Sequence, residues 1–150
     1  MAWWDKLGQG TRVQRVTYDL VTTAGLAMFA VAGGRVLLTA IIGEITEVVN
    51  ALCNVSLQAN PTVGTATTTV LCTPLNVNGF TVGNAVTITG VPTDAMIPAA
   101  MGSALPMMTM PVMIPIGAIE IVASTTPGTG AIQFTLWYKP LDDAGYVVAA

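Results

Sequence analysis

The sequence predicts an all-β protein, built as a single compact β-barrel or β-sandwich. Short runs of β-branched and apolar residues recur along the chain, and glycine, proline or asparagine separates most of them. No long segment shows the apolar period of about 3.6 residues that marks an amphipathic helix. At 150 residues the chain is long enough to bury the core of one domain.

The first fifteen residues carry no sustained apolar period. We therefore predict an N-terminal arm over residues 1–15, followed by a β domain over residues 16–150. Tryptophan is strongly enriched at interface positions that dominate binding energy, so the arm is a candidate contact with a partner. Its candidate interface residues are Trp3, Trp4, Arg12 and Arg15. A floppy terminus, or an arm that tucks onto its own sheet, is the alternative. No apolar run follows the start, so no signal peptide is expected.

Strands are predicted in segments 20–34, 35–42, 49–60, 65–73, 84–89, 116–123, 131–138 and 146–148. The clearest alternation runs from Val49 to Ala59, where every second residue is small or apolar. Segment 131–138 alternates in the same way, and its predicted core face comprises Ile132, Phe134, Leu136 and Tyr138. The dipeptide Asn78-Gly79 predicts a hairpin turn between short strands at 75–77 and 80–82.

Residues 95–115 break this pattern, because they combine four prolines with six of the eight methionines. Proline lacks a backbone donor and methionine fills irregular gaps, so this mixture predicts a long extended loop. Exposed methionines would form an apolar patch, and the loop therefore either folds back over its own body or packs against a partner. Its candidate interface residues are Met101, Met107, Met108, Met110 and Met113.

Charged residues make up only 9% of the chain, and the stretch from Val48 to Tyr138 contains just Asp94 and Glu120. Uncharged polar groups cost less to bury than ions, so such a surface suits a protein whose faces lie against other subunits. A monomer made soluble by threonine-rich strands is the alternative. The net charge of −3 without a basic cluster argues against nucleic acid as a partner. The apolar segments are too short or too rich in proline for membrane helices, so no membrane partner is expected.

The sequence contains no histidine, which removes the commonest general base and metal ligand. None of the three serines lies in a nucleophile turn, and Gly8-Gln9-Gly10 lacks the third glycine of a dinucleotide-binding turn. We therefore predict no catalytic, cofactor-binding or metal-binding residue, no cofactor and no enzymatic activity. The pair Asp142-Asp143 is expected to form a turn that exposes two solvated acids.

Two cysteines are too few for a disulfide scaffold or a zinc site. We predict that Cys53 and Cys72 are small buried residues without a disulfide, in a protein made and used in a reducing cytoplasm. Surface ion pairs are expected between Glu44 or Glu47 and one of Arg12, Arg15 and Arg35.

Two stretches of the chain resemble small structural proteins of tailed bacteriophages, and above all the capsid decoration or cement proteins. They are Val31–Thr46 (VAGGRVLLTAIIGEIT) and Thr135–Ala150 (TLWYKPLDDAGYVVAA). The likeness covers both ends of the strand region but not the middle with its methionine-rich loop.

This resemblance implies an all-β body that forms a homotrimer on the exterior of the phage head. Its partners would be copies of itself and the major capsid protein of the same phage, whose subunit contacts it would stabilise. Such a virion protein is assembled in the host cytoplasm and has no catalytic residue or cofactor. Two other functions stay open: another virion component, such as a tail-tube or head-fibre subunit, and a small β-barrel carrier of apolar ligands.

Overall fold

A computed structural model describes residues 10–64 and 67–150, and these residues form thirteen strands and no helix. The strands are β1 (Thr11–Gln14), β2 (Tyr18–Asp19), β3 (Thr23–Ala32), β4 (Val36–Glu47), β5 (Asn54–Pro61), β6 (Thr69–Val70), β7 (Leu75–Asn76), β8 (Ala85–Thr87), β9 (Ile97–Ala99), β10 (Val112–Ile114), β11 (Gly117–Ala123), β12 (Ala131–Pro140) and β13 (Tyr146–Ala149). The predicted all-β class is confirmed. Among the described residues no helix could cross a membrane.

The strands form two antiparallel sheets. Sheet I has the order β1-β12-β4-β8-β9, with β2 also on β12 and β10 also on β4. Sheet II has the order β13-β3-β11-β5-β6, with β7 also on β5. On one side an isolated parallel bridge joins Thr73 to Ala95. On the other side β1 and β13 come within 8 Å between Cα atoms without pairing, so the sheets do not close and the barrel alternative is wrong.

One hydrophobic cluster contains residues of both sheets. Phe29 and Ile119 enter it from sheet II, while Ile41 and Phe134 enter it from sheet I, and none of the four is more than 2% exposed. They reach the cluster because successive side chains of a strand point to opposite faces. The predicted core face of segment 131–138 is confirmed, since every second residue from Ile132 to Tyr138 is buried.

The alternation that starts at Val49 predicts the buried face correctly but places the strand too early. Val49 and Cys53 are fully buried, yet β5 begins only at Asn54. The backbone before β5 bonds to the turn at residues 77–80 instead of joining a ladder. Val49 N–H donates to the carbonyl of Phe80 (3.0 Å), and Val77 N–H donates to the carbonyl of Cys53 (2.9 Å).

The Asn78-Gly79 turn is present, but the hairpin predicted around it is wrong. Phe80 N–H donates to the carbonyl of Val77 (3.1 Å), which closes the turn. Gly79 has φ of +82°, whereas no non-glycine residue of the described chain has positive φ. A type I′ hairpin turn requires positive φ at both central residues, so this turn has the type II sign pattern, which does not favour a tight hairpin. Strand β7 accordingly pairs with β5.

Strands also occur in the two segments predicted to be an arm and a loop. In the first segment, β1 pairs with β12 in sheet I. Residues 1–9, with Trp3 and Trp4, lie outside the described residues. Within residues 95–115, β9 pairs with β8 and β10 pairs with β4, and residues 100–111 between them contain no strand.

Both cysteines are buried and free, as predicted. Leu57 N–H donates to the sulfur of Cys72 (3.4 Å), and burial raises the pKa of the Cys72 thiol. The Cys53 thiol donates to the carbonyl of Thr125 (3.4 Å).

Replacing both residues (Cys53→Ala with Cys72→Ala) is expected to leave the oligomeric state unchanged in oxidising and in reducing buffer. The physical reason is that neither sulfur forms a covalent link that reduction could break. Sedimentation velocity of the wild type and the variant, with and without reductant, measures this. Dissociation of the wild type on reduction alone would contradict the prediction.

Candidate functional site

The stretches Val31–Thr46 and Thr135–Ala150 meet at one corner of the molecule. Strand β4 pairs with β12, and β13 pairs with β3, so each stretch contributes to both sheets. The turn before β4 and the turn after β12 are joined by Arg35 and Asp142, which are separated by 107 positions in sequence.

Arg35 and Asp142 form a two-pronged ion pair. Arg35 Nε donates to Asp142 Oδ2 (3.0 Å) and Nη2 donates to Oδ1 (2.8 Å). The backbone N–H of Arg35 also donates to Oδ2 (2.7 Å). The expected pairing of Arg35 with Glu44 or Glu47 is therefore wrong, and Asp142 is not a free solvated acid. Planar guanidinium and carboxylate groups favour this geometry because two parallel bonds form at once.

The Arg35 side-chain and backbone donors lower the pKa of Asp142 from 3.8 to about 2. Because the pKa is depressed in the folded state, the contribution of this pair to stability is present above about pH 4 and is lost as the pH falls toward 2.

Asp142→Asn is therefore expected to lower the urea midpoint at pH 6, because it removes the charge from the pair. The difference in urea midpoint between wild type and variant should be smaller at pH 2.5, where the wild-type carboxylate is being protonated. Asp143→Asn is the matched control, since Asp143 is exposed in the same turn and is not in this ion pair. An equal gap at both pH values would contradict this account.

The predicted interface methionines separate into two groups. Met108 packs against the core cluster, and Met96, which precedes it, is fully buried. A second group is exposed: Met101, Met107, Met110 and Met113. The most accessible of them is Met101, at 73%. The alternative that the loop folds back over its own body therefore holds for Met96 and Met108, whereas contact of the four exposed methionines with a partner stays a prediction.

The two predicted arginines have different surroundings. Arg12 is exposed on β1. Arg15 is held against the chain: its guanidinium carbon lies 5.3 Å from the centroid of the Tyr18 ring, and its Nη1 donates to the carbonyl of Val16 (3.4 Å). A guanidinium at this distance over an aromatic face is attracted to the ring. Arg12 is consequently the better placed of the two for an intermolecular contact.

A surface that sequence reasoning missed lies on the face of sheet I that points away from the core, called here the outer face. Directly opposed residues of antiparallel strands point to the same side of a sheet. Its central row comprises exposed Gln14, half-buried Thr135 and Ile42, and Thr87, which is buried at 3%. On one side of it lies the row of exposed Arg12, half-buried Trp137 and buried Ala40, so the accessible part of the face lies on β1, β12 and the outward residues of β4. On the other side Gln133 lies opposite Glu44. The only sequence signal was the uncharged second face of segment 131–138.

The two ends of the outer face differ in charge. At one end Lys139 lies opposite Leu37, which in turn lies opposite Met113. At the other end Ala131 lies between two acids, Asp19 on β2 and Glu47 on β4. Asp19 and Glu47 line a hollow of about 350 Å³ together with Leu20, Val21 and the loop from Thr126 to Gly130.

Glu120 is buried on the opposite surface of the protein, in sheet II. Its two carboxylate oxygens accept from Gln58 Nε2 (2.6 Å) and Asn60 Nδ2 (3.0 Å). Gly25 on the neighbouring strand leaves the space for this group, since a Cβ there would overlap the carboxylate. Two amide donors satisfy the buried acid, so the group stabilises sheet II as a hydrogen-bonded network.

The described chain brings no three residues of the histidine, cysteine, aspartate and glutamate types together as metal ligands. Two of the serines make local hydrogen bonds: Ser103 Oγ donates to the carbonyl of Ala100 (2.6 Å), and Ser124 Oγ accepts from the N–H of Asn54 (2.9 Å). The arrangement offers surfaces for contact: an exposed methionine segment, and a sheet face with separated charges. Comparisons with protein-family models, curated proteins and solved structures find no match.

Proposed function

We propose that this chain is a non-enzymatic structural protein of a tailed-bacteriophage virion. In this role it decorates the exterior of the head as a homotrimer and stabilises contacts between subunits of the major capsid protein. We also infer that its two sheets pack face to face as a sandwich-like body, assembled in the host cytoplasm before it attaches to the head.

The exposed methionine segment carries the proposal. Residues 100–111 contain no charged residue and no strand, and Met101 and Met110 leave 73% and 56% of their surface open. Methionine adapts its shape to an irregular apolar surface, and an uncharged segment can be desolvated at low cost. A protein that must dock over several capsid subunits needs such a contact.

The resemblance of Val31–Thr46 and Thr135–Ala150 to decoration proteins adds independent support. Repeating a modest contact around a trimer would also give avidity, because each trimer engages several capsid subunits at once. A carrier of apolar ligands is less well supported, since the lining of the hollow includes two acidic residues, Asp19 and Glu47.

The test is co-sedimentation of the purified chain with expanded heads of the phage that encodes it. The variant Met101→Ser with Met110→Ser is expected to weaken attachment about tenfold or more, because burying a methionine side chain contributes roughly 1.5–3 kcal/mol. The fold should be unchanged, since both side chains are exposed.

The matched control is Val70→Ser with Val148→Ser, which removes exposed apolar groups from sheet II instead. This control should attach like the wild type. No attachment of the wild type to heads would reject the proposed function, whereas equal attachment of both variants would reject the role of the methionines.

A further inference from the structure

The outer face of sheet I separates its charges along the strands. Lys139 lies four positions from Thr135 along β12, and Ala131 lies four positions from Thr135 in the opposite direction. At about 3.3 Å per residue, each end is roughly 13 Å from the central row. The basic end carries Lys139, with Arg12 one row nearer the centre, whereas the acidic end carries Asp19 and Glu47.

None of these four side chains has an ion-pair partner among the described residues, where the one recorded pair is Arg35 with Asp142. The central row between the two ends is uncharged and includes half-buried Ile42. Arg12 lies one row toward the basic end and Glu44 one row toward the acidic end, so both add to the separation of charge. When a second copy is rotated by 180° so that its strands run in the opposite direction, its basic end lies opposite the acidic end of the first copy.

We propose that a second copy of this chain docks on the outer face of sheet I, with Lys139 of each copy entering the acidic hollow of the other. The contact goes beyond the proposed function and does not depend on it. The hollow of about 350 Å³ between Asp19 and Glu47 is large enough to admit a lysine side chain.

The symmetry follows from the positions of the charges. A two-fold axis in the plane of the contact, perpendicular to the strands and through the Thr135 row, places Lys139 of one copy opposite Ala131 of the other. Asp19 and Glu47 flank Ala131 on the adjacent strands, so each ammonium meets two carboxylates. An axis parallel to the strands would instead oppose like charges. Such an isologous contact closes after two copies.

The size of the face limits its strength. The seven strands of sheet I contain 37 residues. At about 3.3 Å per residue and 4.8 Å between strands they cover at most about 600 Å² per copy, or about 1,200 Å² in total. This area lies at the lower limit of stable specific interfaces. We therefore expect reversible dimerisation, of single chains or of the proposed trimers, with a dissociation constant that rises with ionic strength, because exposed ion pairs are screened over about 10 Å at 0.1 M salt.

The test is sedimentation velocity of the full chain over a concentration series at low ionic strength. Lys139→Glu and Glu47→Lys should each raise the dissociation constant of the dimer about tenfold, since each opposes like charges. The double variant, Lys139→Glu with Glu47→Lys, restores opposite charges and should return to within about threefold of the wild type. Both residues are exposed, so neither change disturbs the core.

Asp143→Lys is the matched control, because it changes the net charge as Glu47→Lys does but lies in the turn after β12. It should leave the dimer unchanged. A wild type that stays monomeric, single variants without effect, or a double variant weaker than both single variants would each overturn the contact. A trimer whose association is unchanged by all these substitutions would also overturn the contact but would leave the proposed function intact. Failure of the wild type to bind heads would reject the proposed function but would leave the contact intact.

Discussion

Phe29→Ala is expected to lower the free energy of unfolding by about 3–5 kcal/mol. Phe29 is fully buried in β3, opposite Ile119 of β11 and Ala149 of β13, and it belongs to the cluster shared by both sheets. Truncation to alanine removes most of the ring's apolar contact and leaves a cavity in the cluster that residues of both sheets form. Since domains of this size are stable by only about 5–15 kcal/mol, the variant should be close to unfolding.

Urea denaturation at matched protein concentration, followed by tryptophan fluorescence, measures this change. The control is Val148→Ala on β13, the strand paired with β3, because Val148 is 46% exposed and points away from the core. We expect that control to stay within about 0.5 kcal/mol of the wild type. Similar midpoints for both variants would mean that the cluster around Phe29 does not hold the sheets together.

The buried faces could be predicted from sequence wherever the alternation is local. The face that includes Phe134 and Leu136 follows from a two-residue period inside one strand, and no knowledge of partners is needed. The same holds for Val49 and Cys53, whose burial was predicted although their strand was misplaced. The two-residue period shows which face of the sheet a residue lies on. The length of a strand depends instead on the neighbouring strand to which its backbone is hydrogen-bonded.

Register and sheet order could not be predicted, because they depend on residues far apart in sequence. The Arg35–Asp142 pair joins turns separated by 107 positions, and no local pattern distinguishes Asp142 from Glu44 or Glu47 as the partner. The outer face of sheet I is hidden for the same reason. Lys139, Asp19 and Glu47 become two ends of one surface only when β2, β12 and β4 are placed side by side.

Residues 95–115 show a different limit of prediction from sequence. Composition alone predicts that residues 95–115 either cover their own body or face a partner, and it cannot assign single residues. The structure separates them by position, with Met108 against the core and Met101 open. The methyl group of Met101 lies over Gly83, where a Cβ would overlap it, while most of the side chain stays exposed.

Two glycines in turns, Gly33 and Gly79, allow the cost of a left-handed backbone to be separated from the cost of a steric clash. Gly33, in the turn between β3 and β4, has φ of +75°, and a Cβ there would overlap the carbonyl oxygen of Ala144 in the turn between β12 and β13. Gly79 has a similar φ of +82°, but a Cβ there would have no atom within 4 Å. The two sites share the backbone conformation that disfavours side chains and differ in whether another chain segment is in contact.

Gly79→Ala should therefore cost only the left-handed backbone penalty, about 1 kcal/mol. Gly33→Ala adds a backbone clash that must push apart the two turns joined by Arg35 and Asp142, and we expect a total loss of about 3 kcal/mol or more. Urea midpoints of the two variants test this, and the Gly33→Ala loss should shrink when Asp142→Asn has already loosened the corner, because sites in contact are not additive. Equal losses at Gly33 and Gly79 would show that the close approach of the two turns adds nothing beyond the backbone conformation.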